Sequence, residues 1–323
     1  MEAVVFKQTG EPNDVLACAE IPAPVPHDED VLVKVTARPI HPADLAFIRG
    51  QYRLKPSFPQ VAGLEGVGVI IAGPPTSPLF APGQRVAFRC PGTWAEIVRV
   101  PQDRLISVPS DIPDAIACQI SLNPLTAVGL LEEAAVNQGD WLLLTAAAST
   151  VSNLIASIAH SRGVKVIGLA RDAARAPAIR SRADHIVSVD DPNLAAALTS
   201  LSAGRGIEAL LDSVGGPILP KLFSTLSAGA RVVAYGVQDR EPAAVTNAML
   251  IYSNLIWKGF GIDRWLAQIS PTERARIIDE LWSMIRAKTL DLPVATTFPL
   301  WQFNEALAAN GEAGRNGKVL LVS

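Results

Sequence analysis

Two places in this chain combine residue types that could do chemistry together. The first is a turn of small residues, Ala147-Ala148-Ser149-Thr150, set between an apolar run over 141–146 and a helix-length segment. A helix start offers free N–H groups and the positive end of its dipole, so it can hold a pyrophosphate if the side chains there let the backbone come close. The usual glycine pattern for this purpose, GxGxxG, reads here as Ala147, Ser149 and Ser152. The bulk stays low, but the fingerprint is not met. Taken alone, the turn fits a nucleotide cradle built on Ala148, Ser149, Thr150 and Val151, and it equally fits a plain parallel strand–helix pair.

The second place is Arg171, directly after the next apolar run, 164–170, with Arg175 one turn further on. An acidic residue at this point would grip a ribose 2′-hydroxyl and select NAD, whereas a cation accommodates the 2′-phosphate of NADP. The arginines therefore point to NADPH if the cradle is real; a solvated loop charge is the alternative. Asp172 is better placed as a helix N-cap than as a ribose ligand.

These residues need a strand, a tight turn, a helix and a second strand to hold them. The apolar positions Val151, Leu154, Ile155, Ile158 and Ala159 put one helical face inward, and Arg162-Gly163 ends the helix. The whole is a βαβ unit of the length that a dinucleotide-binding half requires. From about Leu122 onward, strands at 141–146, 164–170, 185–189, 207–213 and 231–236 alternate with helical stretches, with a sixth apolar run at 254–261. That alternation predicts a doubly wound parallel sheet. Ser270, Pro271 and Glu273 give the next helix an N-cap, a starting proline and a capping box, with Ile277, Ile278, Leu281 and Ile285 on its apolar face and Trp282 beside it in the core.

Upstream, residues 1–122 are rich in proline and glycine, with candidate strands at 31–37, 66–72, 84–88 and 94–100 and a short helix near His41-Pro42-Ala43-Asp44. A barrel-like β unit is expected. After Lys288 the chain turns β-like again, and the tail 318–322 is expected to return to the first domain.

Composition narrows the function. The 323 residues allow two domains, and a 49% hydrophobic, 18% charged composition suits a well-buried globular protein. A net charge of −3 without runs of like charge argues against a nucleic-acid partner. Cys18, Cys90 and Cys118 are scattered and odd in number, so neither a disulfide framework nor a zinc quartet is expected; they fit a reducing cytoplasm. No secretion signal and no apolar run of about 18 residues is seen, so no membrane span is expected.

Read along its whole length, the chain resembles the medium-chain dehydrogenase/reductase family. The stretches that carry the resemblance are Pro12-Asn13-Asp14-Val15-Leu16, the run IHPADLAFIRGQYRLKPSFPQVAGLEGVG from Ile40 to Gly68, GTWAE from Gly92, NPLTAV from Asn123 and GDW from Gly139. The long first-domain motif with its tyrosine, GTW and GDW together are similar to the 2-enoyl thioester reductases, which act on acyl-CoA or acyl carrier protein. The zinc-free quinone oxidoreductases lie near them. The resemblance implies an α/β protein: a GroES-like β-rich catalytic domain over 1–122, a Rossmann NADP-binding domain over 123–262, and a segment 263–323 whose strands return to the catalytic domain. It also implies a homodimer paired through the nucleotide domain, with 254–261 as a candidate edge strand.

The resemblance assigns roles residue by residue. Tyr52 matches the catalytic tyrosine. Reducing a conjugated C=C puts hydride on the β-carbon and negative charge on the carbonyl oxygen, where a phenol can donate. Trp94 matches a tryptophan that lines the acyl pocket. Asn123 and Thr126 fall beside the nicotinamide, Tyr235 and Gly236 at the carboxyl edge of the sheet, and Phe260 and Gly261 in a segment that touches nicotinamide. Each has a plainer reading as well: Tyr52 as a loop cover, Trp94 as core, Asn123-Pro124 as a helix start.

Zinc relatives carry histidine where Gly63-Leu64-Glu65-Gly66 has leucine, and His41 stands alone as a loop histidine, so no metal is expected. Three departures bear on substrate identity: Ser152 in the last glycine position, the sequence Gly261-Ile262-Asp263-Arg264-Trp265, and the proline-rich connector 73–83. Two other activities compete with enoyl reduction. One is NADPH:quinone or general enone reduction; the other is dinucleotide binding without turnover, for which the altered glycine turn is the support.

Overall fold

The computed structural model describes residues 1–26, 30–73, 80–171, 182–312 and 314–323. The chain divides into two units, residues 1–122 with 292–323, and residues 123–291.

The first unit begins with β1 (Glu2–Phe6), which pairs antiparallel with β2 (Ala17–Glu20) and β4 (Gln60–Val61); the short helix α1 (Pro12–Val15) joins β1 to β2. β3 (Asp30–Pro39) is the organising strand. It pairs antiparallel with β5 (Glu65–Ala72) and also with β7 (Ile97–Pro101), and the ladder continues through β6 (Arg85–Arg89) to β8 (Leu105–Ser107). These pairings wrap the sheet around a core of Val31, Val33, Val35, Ile70, Val86 and Phe88. The opposite layer holds Phe6, Ile40, Phe47, Ile48, Leu64 and Trp94, carried partly by α2 (Pro42–Ile48). α3 (Asp114–Ala117) leads out of the unit.

In the second unit α4 (Asn123–Ala134) precedes β9 (Trp141–Leu144), α5 (Thr150–Ser161) and β10 (Lys165–Ala170). β11 (His185–Ser188), β12 (Ile207–Asp212), β13 (Leu226–Ala234) and β14 (Ile256–Gly259) complete a parallel sheet in the order β11-β10-β9-β12-β13-β14. That is the doubly wound order expected from the alternation, with its reversal point between β9 and β12. The central strands are largely apolar, as strands covered on both faces require: Leu143, Ile167, Leu169, Leu210 and Val232 lie in one cluster.

The helix Pro271–Arg286 starts where the sequence places it, with the Ser270 hydroxyl accepting from Glu273 N at 3.1 Å. The reciprocal half of the capping box is not made. Glu273 turns instead to Arg276, 2.7 Å away. This helix packs on α4, so it stays with the second unit, and the chain re-enters the first unit at Leu292. There β15 (Val294–Pro299) and β16 (Lys318–Val322) join the sheet, β16 antiparallel to β3. Between them lies the helix Phe303–Gly311, which the β-like reading of the tail passed over. Its buried Phe303 and Ala306 sit three apart and face the core.

Candidate active site

The carboxyl edge of the parallel sheet is where such folds bind ligands. Here it collects most of the nucleotide residues expected from sequence. β9 ends at Leu144, and Ala146 takes a left-handed backbone, φ 47°, to make the sharp turn into α5. Ala147 is buried, and its N–H donates to Leu169 O at 2.8 Å, fastening the turn to β10. Ser149 is the N-cap of α5: its side chain accepts from Ser152 N at 3.1 Å. The N–H groups of Thr150 and Val151 stand in the first turn, where a helix supplies no acceptor of its own. Ala148 is exposed, and Ser149, Thr150 and Val151 are half-buried. Arg171 follows β10 directly and is exposed, its carbonyl accepting from Ser188 Oγ at 3.3 Å. Arg175, Asp172 and connector residues 74–79 lie outside the described residues.

Beyond the reversal point, Asp212 ends β12 and is buried. It accepts from Thr145 Oγ1 at 2.7 Å, Val214 N at 3.0 Å and Gly215 N at 2.9 Å. It caps its own turn, as a strand-end aspartate should. Tyr235 and Gly236 follow β13. A side chain on Gly236 would put its first carbon 2.4 Å from Ser213 O, so this backbone approach requires glycine. Phe260 and Gly261 follow β14, but the Phe260 ring turns toward α4. Gly129 has no room for a Cβ because Trp265 and Phe260 lie 2.7 Å and 2.9 Å from where it would be. Asn123 and Thr126 sit in the first turn of α4, both half-buried.

The turn, the helix start, the cation after β10 and the close backbone at Gly236 all fit a dinucleotide. Two serines belong to the same edge: Ser152, which sequence reasoning named only as a departure from the glycine pattern, and Ser213, which it passed over. Ser152 is buried, with its hydroxyl in contact with Thr145, Ser149 and Tyr235. The Ser213 hydroxyl is buried as well. The signal for the first was present in the sequence, a hydroxyl in a glycine position; the second sits in an unremarkable strand-end sequence.

In the first unit, Tyr52 is half-buried and packs on the apolar cluster around Phe47 and Trp94, with the Arg53 guanidinium 5.8 Å from its ring centroid. Its N–H donates to Ala46 O at 3.1 Å, which fixes the loop after α2. Burial lowers the pKa of the Arg89 guanidinium, while Tyr52 and Glu65 act in the opposite direction. Trp94 is fully buried and its indole N–H meets no partner, against the edge of Gly63.

His41 is satisfied, as a lone histidine would be, but by a partner inside the core. It is the N-cap of α2, buried, with Nε2 against Glu65 and its N–H donating to Asp44 Oδ2 at 2.6 Å. Burial lowers its pKa, and the nearby Lys318 lowers it further. Among the described residues no three His, Cys, Asp or Glu side chains group in a way that could hold a metal ion.

Residues 27–110 match the alcohol dehydrogenase GroES-like domain, and residues 182–321 match the zinc-binding dehydrogenase family. The chain is 32% identical over 318 residues to the mitochondrial enoyl-[acyl-carrier-protein] reductase of Xenopus tropicalis, covering 94% of this chain and 90% of that one. This chain belongs to the medium-chain dehydrogenase/reductase family. The Dictyostelium discoideum enoyl-[acyl-carrier-protein] reductase is 30% identical, with 91% and 86% covered. Among solved structures, a putative NADPH:quinone reductase from Bacillus thuringiensis superposes with a TM-score of 0.92 at 26% identity, covering 100% of this chain and 98% of that one. The Escherichia coli quinone oxidoreductase complexed with NADPH shares the fold, with a TM-score of 0.88 at 22% identity over the full length of both chains. The oxidoreductase thus joins a GroES-like unit to a Rossmann unit. None of its described helices is long and apolar enough to cross a membrane.

Proposed function

We propose that this oxidoreductase uses NADPH to reduce the C=C bond of 2-enoyl thioesters carried on coenzyme A or acyl carrier protein. The observation that carries the reading is Tyr52. It follows the α2 loop, and its ring is held by the apolar cluster around Phe47 and Trp94. It lies within the motif shared with the enoyl reductases, whose named members match the chain nearly end to end.

In this reading the first turn of α5 and the turn before it hold the pyrophosphate through backbone N–H groups, and Arg171 pairs with the 2′-phosphate. Arg175 would add a second cation. Asn123, Thr126 and Gly261, with the backbone of Phe260, bound the nicotinamide side. Bound NADPH supplies the hydride. Tyr52 donates its phenolic hydrogen bond to the thioester carbonyl oxygen as negative charge builds there, and the α-carbon then takes the phenolic proton, which solvent restores. Trp94 backs the acyl slot from within the core. The protein works in the cytoplasm as a homodimer joined at the β14 edge.

A second reading, NADPH:quinone or enone reduction, is favoured by the likeness to the Bacillus thuringiensis quinone reductase. Steady-state NADPH oxidation with crotonyl-CoA and with a soluble quinone, each repeated with NADH, separates the two. Turnover on crotonyl-CoA that falls about 100-fold or more in Tyr52→Phe supports enoyl reduction. Turnover on quinone alone, unchanged in Tyr52→Phe, moves the protein to the second reading. Clear NADPH binding with no turnover on either substrate leaves a dinucleotide-binding protein.

A further inference from the structure

We propose that Ser152 is a positioning residue of the dinucleotide site, whose hydroxyl ties the Tyr235 phenol to the phosphate turn. The inference rests on the NADPH reading above and concerns how this chain manages without the last glycine of the turn. Glycine in that position serves close packing of helix against strand. Ser152 is only 1% exposed, so its hydroxyl must find partners inside the protein.

It finds three. Ser152 Oγ lies 3.2 Å from Thr145 O, 2.9 Å from Ser149 Oγ and 3.4 Å from the Tyr235 hydroxyl. A hydroxyl has one proton and two lone pairs. Thr145 O can only accept, so the Ser152 proton goes there. Ser149 and Tyr235 must then both donate to Ser152 Oγ, and the oxygen is saturated. Ser149 Oγ in turn accepts from Ser152 N, so the N-cap and the phenol are locked through one atom.

The tie crosses the sheet. Thr145 and Ser149 follow β9, Tyr235 follows β13, and β12 lies between them. At the end of β12, Ser213 O supports the close approach of Gly236. The buried Ser213 hydroxyl stands beside the same phenol. Burial raises the pKa of the Tyr235 phenol, which keeps it a neutral donor at physiological pH. The three loops that meet the ligand are thereby fixed before it arrives, and a preset turn binds more tightly than one that must be ordered.

The test is equilibrium binding of NADPH and of NADH to the full chain, followed by nucleotide fluorescence, for wild type, Ser152→Ala, Ser152→Gly, Tyr235→Phe and the Ser152→Ala/Tyr235→Phe pair. Each single variant should weaken both nucleotides in parallel, by roughly 3- to 10-fold, with the NADPH/NADH ratio unchanged. The double variant should be no weaker than the weaker single, because both remove one tie. If Ser152→Gly binds as well as or better than wild type, the serine is merely tolerated in a glycine's place and the proposal falls. Additive losses overturn it as well.

Wild type that binds neither nucleotide overturns the NADPH reading instead. The tie itself is then read from the alkaline ultraviolet titration of tyrosine in a Tyr52→Phe/Tyr252→Phe background, where Tyr235 is the one phenol left. Adding Ser152→Ala should shift its transition, because the phenol loses the acceptor to which it donates. An unmoved transition would sink the tie. Thermal melts without nucleotide identify any variant that fails to fold, and Ser152→Ala, which keeps the Cβ, then carries the comparison.

Discussion

His41 Nε2 lies 2.5 Å from Glu65 Oε2, and both side chains are sealed from solvent. The other oxygen of the same carboxylate accepts from Ser121 Oγ at 2.8 Å and from Leu122 N at 2.7 Å. One buried acid thus gathers donors from the N-cap of α2 and from the end of the first stretch of its unit. Glu65→Ala would strand all of them in a dry core. Urea unfolding should show a loss on the order of 3–5 kcal/mol, with Glu65→Gln losing less because an amide oxygen still accepts. A loss below about 1 kcal/mol for Glu65→Ala would mean that water or a neighbour takes up the donors easily.

Asp44 and Lys318 set opposite limbs of the pH dependence. Desolvation pushes the Asp44 carboxyl up to about 7 from an ordinary 3.8, against the hydrogen bond it receives from His41 and the pull of Lys318. Between those two values the folded chain holds a proton that the unfolded chain has released. Stability from this group is therefore full below the ordinary value and lost as pH rises through about 7. Asp44→Asn should flatten the limb, with its advantage over wild type growing by a few kcal/mol at most up to neutral pH. Lys318 is pulled by burial down to about 8 from 10.5, so its penalty is full below 8 and eases as pH climbs toward 10.5. Lys318→Met should flatten that alkaline limb. Urea midpoints across pH 5 to 10 read both; parallel wild-type and variant curves would refute the assignment.

The second unit was legible because its signals are local. Period-2 and period-3.6 patterning, a small-residue turn and a strand-end cation all fall in order along the chain, and the sheet order follows from right-handed crossovers. The capping residue Ser270 was equally readable, whereas its reciprocal partner was not, because Arg276 competes for Glu273 on the helix surface. What stayed hidden depends on tertiary neighbours. His41 reads as a lone histidine until β5 brings Glu65 beside it from 24 residues away. Ser152 reads as a defect until β13 supplies Tyr235, 83 residues on. The helix Phe303–Gly311 was missed because its buried face is short, Phe303 and Ala306, and reads as loop without the sheet beneath it.

Arg171 is exposed at the end of β10, and its side chain carries the expected choice of NADPH over NADH. Arg171→Ala should weaken NADPH binding by about 10-fold while leaving NADH within about 2-fold, since only the former carries the 2′-phosphate. Arg171→Asp should go further and favour NADH. Equal losses for both nucleotides would show that the residue supports the fold of the turn and not the phosphate.

The edge of the parallel sheet predicts the assembly state. β14 pairs with β13 on one side, and all four of its residues are exposed. Around it, Ile251, Tyr252, Ile256 and Trp257 are 70%, 87%, 46% and 41% exposed, an apolar group beside open backbone donors and acceptors. Lys258, the one charge in this strand, is already paired with Glu133, and an edge left otherwise apolar in this way invites a second strand; the pairing that closes on itself is the two-fold one. Light scattering at micromolar concentration should give twice the chain mass of 34.2 kDa. Tyr252→Asp with Ile256→Lys should return a monomer that still binds NADPH, because neither side chain enters the cradle after β9. Trp257 is left in place because its ring packs edge-on against Phe223, 5.7 Å between centroids, and its loss would disturb the core as well as the edge. A wild-type monomer, or a double variant that remains dimeric, would show that the copies meet elsewhere or not at all.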